Sequence, residues 1–184
     1  MSPNARTPGF RGEFLWEMEI AERQITALAE AIPADKYDWR PDSTARSVSE
    51  VFVHIAAGTF MLLEFAGVTA PADVYAQIPA DGPERLPGLV RSNDELERTV
   101  REKPDVVALL KRSLVSARQS FEQADGAELD RRVQFFGEET TVRRVYLRLL
   151  AHTHEHMGQM IAYSRVNGIA APWPDWRPAR RAWS

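Results

Sequence analysis

The chain has four histidines, at positions 54, 152, 154 and 156. His152 and His156 are four residues apart. On a helix that spacing stacks two imidazoles on one face, one turn apart. It is the way a helix offers two nitrogens to one metal ion. His154 stands about 200° around the same helix from His152 and cannot join them. His54 lies far upstream in an apolar run with Phe52, Ile55, Phe60, Met61 and Leu62. An imidazole left unpaired in such surroundings costs desolvation energy, whereas a ligated one is satisfied. A lone histidine in a helix is more often an ordinary core or surface residue, and His-x-x-x-His arises readily by chance. The pair together with a buried third is what points to a site. Three protein nitrogens leave coordination positions free for water or substrate, the pattern of catalytic rather than closed structural centres. His54, His152 and His156 are therefore the expected ligands of one divalent ion. Imidazole suits zinc, nickel, iron and copper alike; zinc and nickel are expected ahead of iron and copper.

The chain has no cysteine. Thiolate nucleophiles, zinc ribbons, iron–sulfur clusters and disulfides are thus excluded from its own side chains. The run His152-Thr153-His154-Glu155-His156 is not the His-Glu-x-x-His motif of zinc peptidases. Gly158 stands where the second histidine after His154-Glu155 belongs, and the general base of that class is missing. Candidate helpers are Glu50, Gln159 and Tyr163. Glu50 is four residues before His54, on the same face, where it orients the ring or serves as a base; the simpler role is to close a helix cap. Gln159 and Tyr163 follow His156 by three and seven residues and line the same cleft or merely pack.

These residues need helices to position them. Apolar periodicity predicts a first helix over about 10–32, stopped by Pro33. Ser47 followed by Glu50 is a capping box, opening a second helix that runs to about Ala66 and stops at Gly67. Residues 68–103 form a long connection containing Pro71, Pro79, Pro83 and Pro87. Ser92-Asn93-Asp94-Glu95 repeats the capping pattern and predicts a short helix within it. A third helix over about 105–124 carries one apolar stripe through Val106, Leu109, Leu110, Leu114, Ala117 and Phe121. Residues 129–140 read as a loop with some extended character at Phe135 and Phe136. A fourth helix over about 141–166 ends at Asn167-Gly168. The fold class is all-α: one four-helix bundle with a long crossover between helices 2 and 3, which lets those two run parallel. One domain is expected over 1–184, with its core at about 10–172 and a Trp- and Arg-rich tail at 173–184.

With 184 residues and a net charge of −3, nothing in the composition argues for nucleic acid or an anionic membrane. Residues 51–68 are apolar enough to suggest a membrane span, but His54 and Glu64 interrupt them and a buried bundle helix is the better reading. The N-terminal residues have no apolar core of a secretory signal. A cysteine-free chain suits a reducing cytoplasm.

The segment Glu155-His156-Met157-Gly158-Gln159, followed by Tyr163, Arg165, Asn167-Gly168-Ile169 and Pro172, resembles the end of the last core helix in the DinB-like (DinB/YfiT) family. Trp39-Arg40-Pro41, then Ser47-Val48, Glu50 and His54-Ile55, resembles that family's turn into its first metal histidine. The resemblance spans roughly 10–172. It implies a metal-binding four-helix bundle with His54, His152 and His156 as ligands, His154 outside the set, and homodimerisation through helix faces. Ala171-Pro172 departs from the family's paired prolines, and the tail beyond Pro172 has no counterpart. Relatives in the wider superfamily include S-transferases using bacillithiol and a mycothiol-dependent isomerase, so the resemblance also implies a small-molecule substrate and a low-molecular-weight thiol. The leading expectation is a metal-dependent transferase or hydrolase. The alternatives are a non-catalytic, metal-stabilised stress-response bundle and a dimeric interaction module built on Trp173, Trp176, Arg177, Arg180, Arg181 and Trp183. The tail's aromatic and Arg content is that of interface hot spots.

Overall fold

Each long helix is delimited by local chemistry, and the computed structural model shows the delimiters at work. It describes residues 9–75, 78 and 82–173. Helix α1, Phe10–Ala31, ends before Pro33. Its last carbonyls are capped from another helix: Lys103 Nζ donates to the carbonyls of Glu30 and Ile32, each at 2.7 Å. Helix α2, Val48–Phe65, opens on the capping box. The Glu50 amide donates to Ser47 Oγ at 3.3 Å, and the Ser47 amide donates to Glu50 Oε2 at 2.7 Å. The stop falls at Gly67, whose φ of 82° is the left-handed conformation that glycine adopts without penalty. Helix α5, Lys103–Gln123, carries Pro104 in its first turn, where no amide donor is missed. Helix α7, Val142–Val166, is capped by the Thr141 side chain and stops at Asn167-Gly168.

These four long helices make the bundle. Helix α2 packs on α5 and α7, and so does α1; α1 and α2 therefore stand on one diagonal. Arg101 before α5 pairs with Glu50 at the start of α2, so α2 and α5 run parallel, as the long connection permits. Tyr163 near the end of α7 reaches Arg46 before α2, so α7 runs antiparallel to α2. That antiparallel pair carries the histidines.

Two apolar clusters fill the interior. One includes Ile25, Leu28, Phe52, Ile55, Val106, Leu110 and Met160. The other includes Phe14, Met18, Leu63, Phe121, Tyr146 and Leu149. Along α7, Leu149 belongs to the second cluster and Met157 to the first. His152 and His156 fall in the interval between them. Helix α2 has the length and hydropathy of a membrane span, but 72% of it is buried in the bundle.

The connections differ from expectation in two places. Between α2 and α5 lie a single turn, α3 at Ala72–Tyr75, and a longer helix, α4 at Arg85–Thr99. The Ser92–Glu95 pattern sits inside α4 and caps nothing. Leu89 and Asn93 are buried, with Leu96 packed beside them, so contact with α2 outweighs the local capping signal, and Pro87 is tolerated in the first turn. The stretch at 129–140 is more ordered than a loop: after the end of a short helix, α6 at Gly126–Asp130, it forms a hairpin of β1, Arg132–Phe135, and β2, Glu138–Thr141, so the extended character expected at Phe135 is a strand while Phe136 falls in the turn. Phe135 pairs with Glu138. The two turn residues, Phe136 and Gly137, both have positive φ, 49° and 87°, as a type I′ turn requires. The tail residues Trp176, Arg177, Arg180, Arg181 and Trp183 lie outside the described residues.

Candidate metal centre

Helices α2 and α7 set three imidazoles around one point. His54 Nε2 and His152 Nε2 are 3.1 Å apart. Ring centroids are 5.0 Å apart for His54–His152, 4.7 Å for His54–His156 and 4.6 Å for His152–His156. One ligand atom from each of the three lies within 4.8 Å of the others. Two nitrogens held at about 2.0–2.1 Å from one tetrahedral ion are themselves roughly 3.3 Å apart. The His54–His152 spacing is close to that of a bound pair.

The outer edges of two rings are held by oxygen acceptors. His54 Nδ1 donates to Glu97 Oε1 at 2.7 Å, and Arg46 Nε donates to the other carboxylate oxygen at 2.6 Å. Burial raises the Glu97 pKa, but the hydrogen bonds from His54 and Arg46 outweigh it and hold the carboxylate below its ordinary value. His156 Nδ1 donates to Gln159 Oε1 at 2.8 Å. Gln159 Nε2 donates to the Tyr163 hydroxyl at 3.0 Å, which donates to the Arg46 carbonyl at 3.3 Å. Trp39 packs edge-on against Tyr163 at 5.3 Å. Acceptors at Nδ1 assign the proton to that nitrogen, so Nε2 of both rings turns a lone pair toward the shared centre.

His152 is different. Its Nδ1 is buried with no hydrogen-bond partner among the described residues. Burial, reinforced by the nearby charges of His156, His54 and Arg148, pushes its pKa down to about 3. Burial also lowers the His156 pKa, against the hydrogen bond that its Nδ1 donates to Gln159. Both rings are therefore neutral near pH 7, the form that binds a cation. Crowded, neutral nitrogen donors with two fixed tautomers and one ring unsupported at its outer edge fit a divalent ion.

His152 is seated by a gap. A Cβ at Gly58 of α2 would stand 2.7 Å from His152 Cε1, closer than side chains tolerate. Glycine inside a helix is normally disfavoured by about 1 kcal/mol against alanine, so its presence here goes with the close approach of the ring. Gly58→Ala is expected to leave the protein folded, with a melting temperature equal or higher, while metal affinity falls about tenfold or more because the ring must turn away. Chelator competition and thermal melting of the same sample read the two effects. Unchanged affinity would show that His152 does not need the gap.

The remaining expected residues are distributed as follows. Glu50 closes the cap and pairs with Arg40 at 3.0 Å and Arg101 at 2.7 Å. The carboxylate against His54 is Glu97 of α4 instead. Gln159 and Tyr163 form the hydrogen-bonded chain behind His156. His154 Nδ1 donates to the Leu150 carbonyl at 3.0 Å and stands outside the cluster, as its angle on the helix predicts. Sequence reading missed Glu97, Arg46 and Gly58. Glu97 is 43 residues from His54, and no local pattern links them.

The cluster is open on one side. A cavity of about 550 Å³ begins at His54, Gly58 and His152. Its walls include Val90, Asn93, Asp94 and Glu97 from α4, Phe135 and Phe136 from the hairpin, and Arg144 and Arg148 from α7.

The family model described as the DinB superfamily matches residues 17–160. Two solved structures have a similar fold. A DinB-like protein from Bacillus subtilis is 18% identical with a TM-score of 0.55, over 91% of this chain and 99% of that one. A DinB-like protein from Bacillus cereus is 15% identical with a TM-score of 0.57, over 88% and 95%. No curated protein matches the chain.

Proposed function

The chain belongs to the DinB superfamily, and from that membership and its open three-histidine cluster we propose that it is a divalent-metal-dependent enzyme. It would act by group transfer or hydrolysis on a small molecule. The observation that carries this reading is the opening. His54 and His152 border a cavity of about 550 Å³, so a ligand from solution has room beside two of the three rings. A metal held only for stability calls for a closed shell instead.

His54, His152 and His156 would hold the ion, zinc or nickel ahead of iron or copper. When bound on three neutral imidazoles it keeps its charge and lowers the pKa of a thiol or water, supplying a nucleophile near neutral pH. With no cysteine in the chain, any thiol must be a free low-molecular-weight one. Glu97 fixes the His54 tautomer and supplies one negative charge near the centre. Gln159 and Tyr163 do the same positional work for His156 without adding charge. Met61, Leu62, Phe135 and Phe136 line the cavity and limit the water that competes with substrate.

The test is elemental analysis of tag-free protein, followed by assays of the loaded protein. About one divalent ion per chain is expected, with consumption of a small thiol against an electrophile or hydrolysis of an activated ester. No stoichiometric ion after reconstitution would overturn the reading. Stoichiometric ion without turnover in either assay would leave a metal-binding bundle and remove the enzyme.

A further inference from the structure

Three guanidinium groups line the cavity beside the histidines, and two are already engaged. Arg46 is held by Glu97 at 2.6 Å. Arg148 makes two bonds to Glu155, at 3.1 and 2.7 Å. Arg144 has no carboxylate partner among the described residues; its guanidinium lies 5.9 Å over the Phe135 ring. Arg144, Arg148, His152 and His156 are spaced by four residues, so they form one stripe along α7. Arg148 is one helical turn and Arg144 two turns from His152, roughly 6 and 12 Å along the axis.

Facing this stripe is an unusual turn. Phe136 occupies the left-handed region at φ 49°, a position that type I′ turns fill with Asn, Asp or Gly. An aromatic residue there is strained, because its Cβ crowds the backbone in the left-handed region. It is also 53% exposed, so burial does not repay the strain. The turn does set an aromatic wall at the cavity: Phe136 packs edge-on to Phe135 at 4.8 Å and tilted against Phe65 at 4.9 Å, and both hairpin rings line the cavity. Asp94 of α4 also lines the cavity and is exposed; its carboxylate disfavours an anion placed beside it.

We propose that this cavity binds an amphiphilic carboxylic acid, with its carboxylate on Arg144 and its apolar body against Phe135 and Phe136. The far end of the molecule then lies toward the Nε2 atoms of the histidines. The proposal names the substrate class for the metal-dependent reading above and rests on it for the chemistry, but the subsite itself needs no ion.

The probes are 4-phenylbutyrate and its neutral amide, titrated by calorimetry into the full chain, both metal-loaded and chelated. The acid is expected to bind about tenfold tighter than the amide, the usual gain for a hydrogen bond to a charged group. Arg144→Ala is expected to abolish that preference in both states; Arg144 is exposed, so the fold is retained. Phe136→Gly is expected to weaken acid and amide together by several fold, to leave their ratio unchanged, and to raise the melting temperature by relieving the turn. Equal binding of acid and amide, no binding of either, or a preference untouched by Arg144→Ala would overturn the proposal. A preference held by the ion alone would vanish on chelation and survive Arg144→Ala, and it too would overturn it. If the protein takes up no metal yet keeps an Arg144-dependent preference, the metal reading fails and the subsite stands.

Discussion

The His152→Ala/His156→Ala protein is expected to bind no stoichiometric metal and to gain no stability from added ion. Two of the three nitrogens within 4.8 Å of one another are removed, and His54 alone cannot hold an ion. In the wild type, an ion that binds only the folded chain stabilises it by about 4 kcal/mol at a free concentration a thousand times Kd. For a chain of this length that raises the melting temperature by on the order of 10 °C. In the variant the shift should be absent. In chelator the two proteins should melt close together. Alanine favours the helix, and the unpartnered Nδ1 of His152 is removed, which offsets the small cavity left behind. Elemental analysis and paired melts check both statements. A metal-dependent shift that survives in the double variant would place the ion elsewhere.

The second large effect is expected at Glu97. Glu97→Ala should weaken metal binding by about 10- to 100-fold, the usual loss when the carboxylate behind a ligating imidazole is removed. The His54 ring loses its 2.7 Å acceptor, so neither its tautomer nor its orientation remains fixed. Glu97→Gln keeps an oxygen acceptor and loses the charge, so its loss should be smaller. The fold should survive, because the Arg46 side chain is 43% exposed and can hydrate when its partner goes. Competition with a chelator of known affinity gives the ranking wild type, Gln, Ala. Wild-type affinity in Glu97→Ala would mean that His54 is oriented by its packing alone. Glu50→Gln is the useful contrast. It disturbs the cap and the pairs with Arg40 and Arg101, and so should lower stability without touching the metal.

Much of this molecule follows from interactions that span four residues or fewer. The ends of α1, α2 and α7 are set by Pro33, by Ser47 with Glu50, and by Asn167-Gly168. The His152–His156 pair and the exclusion of His154 follow from helical angle alone. The absence of cysteine, which rules out a thiolate ligand or nucleophile from the chain itself, is a property of composition. Those terms act between chain neighbours, so they can be read before any tertiary contact is known. What the tertiary structure decided involves elements distant in the chain. Glu97 and not Glu50 meets His54, because Arg40 and Arg101 hold Glu50 at the helix start while α4 packs across α2. The Ser92–Glu95 pattern is overridden for the same reason, by burial of Leu89 and Asn93. Gly58 reads as a weak point in a helix until His152 is seen against it. The hairpin that walls the cavity depends on a left-handed Phe136, a conformation its own residue type disfavours and only its surroundings can hold.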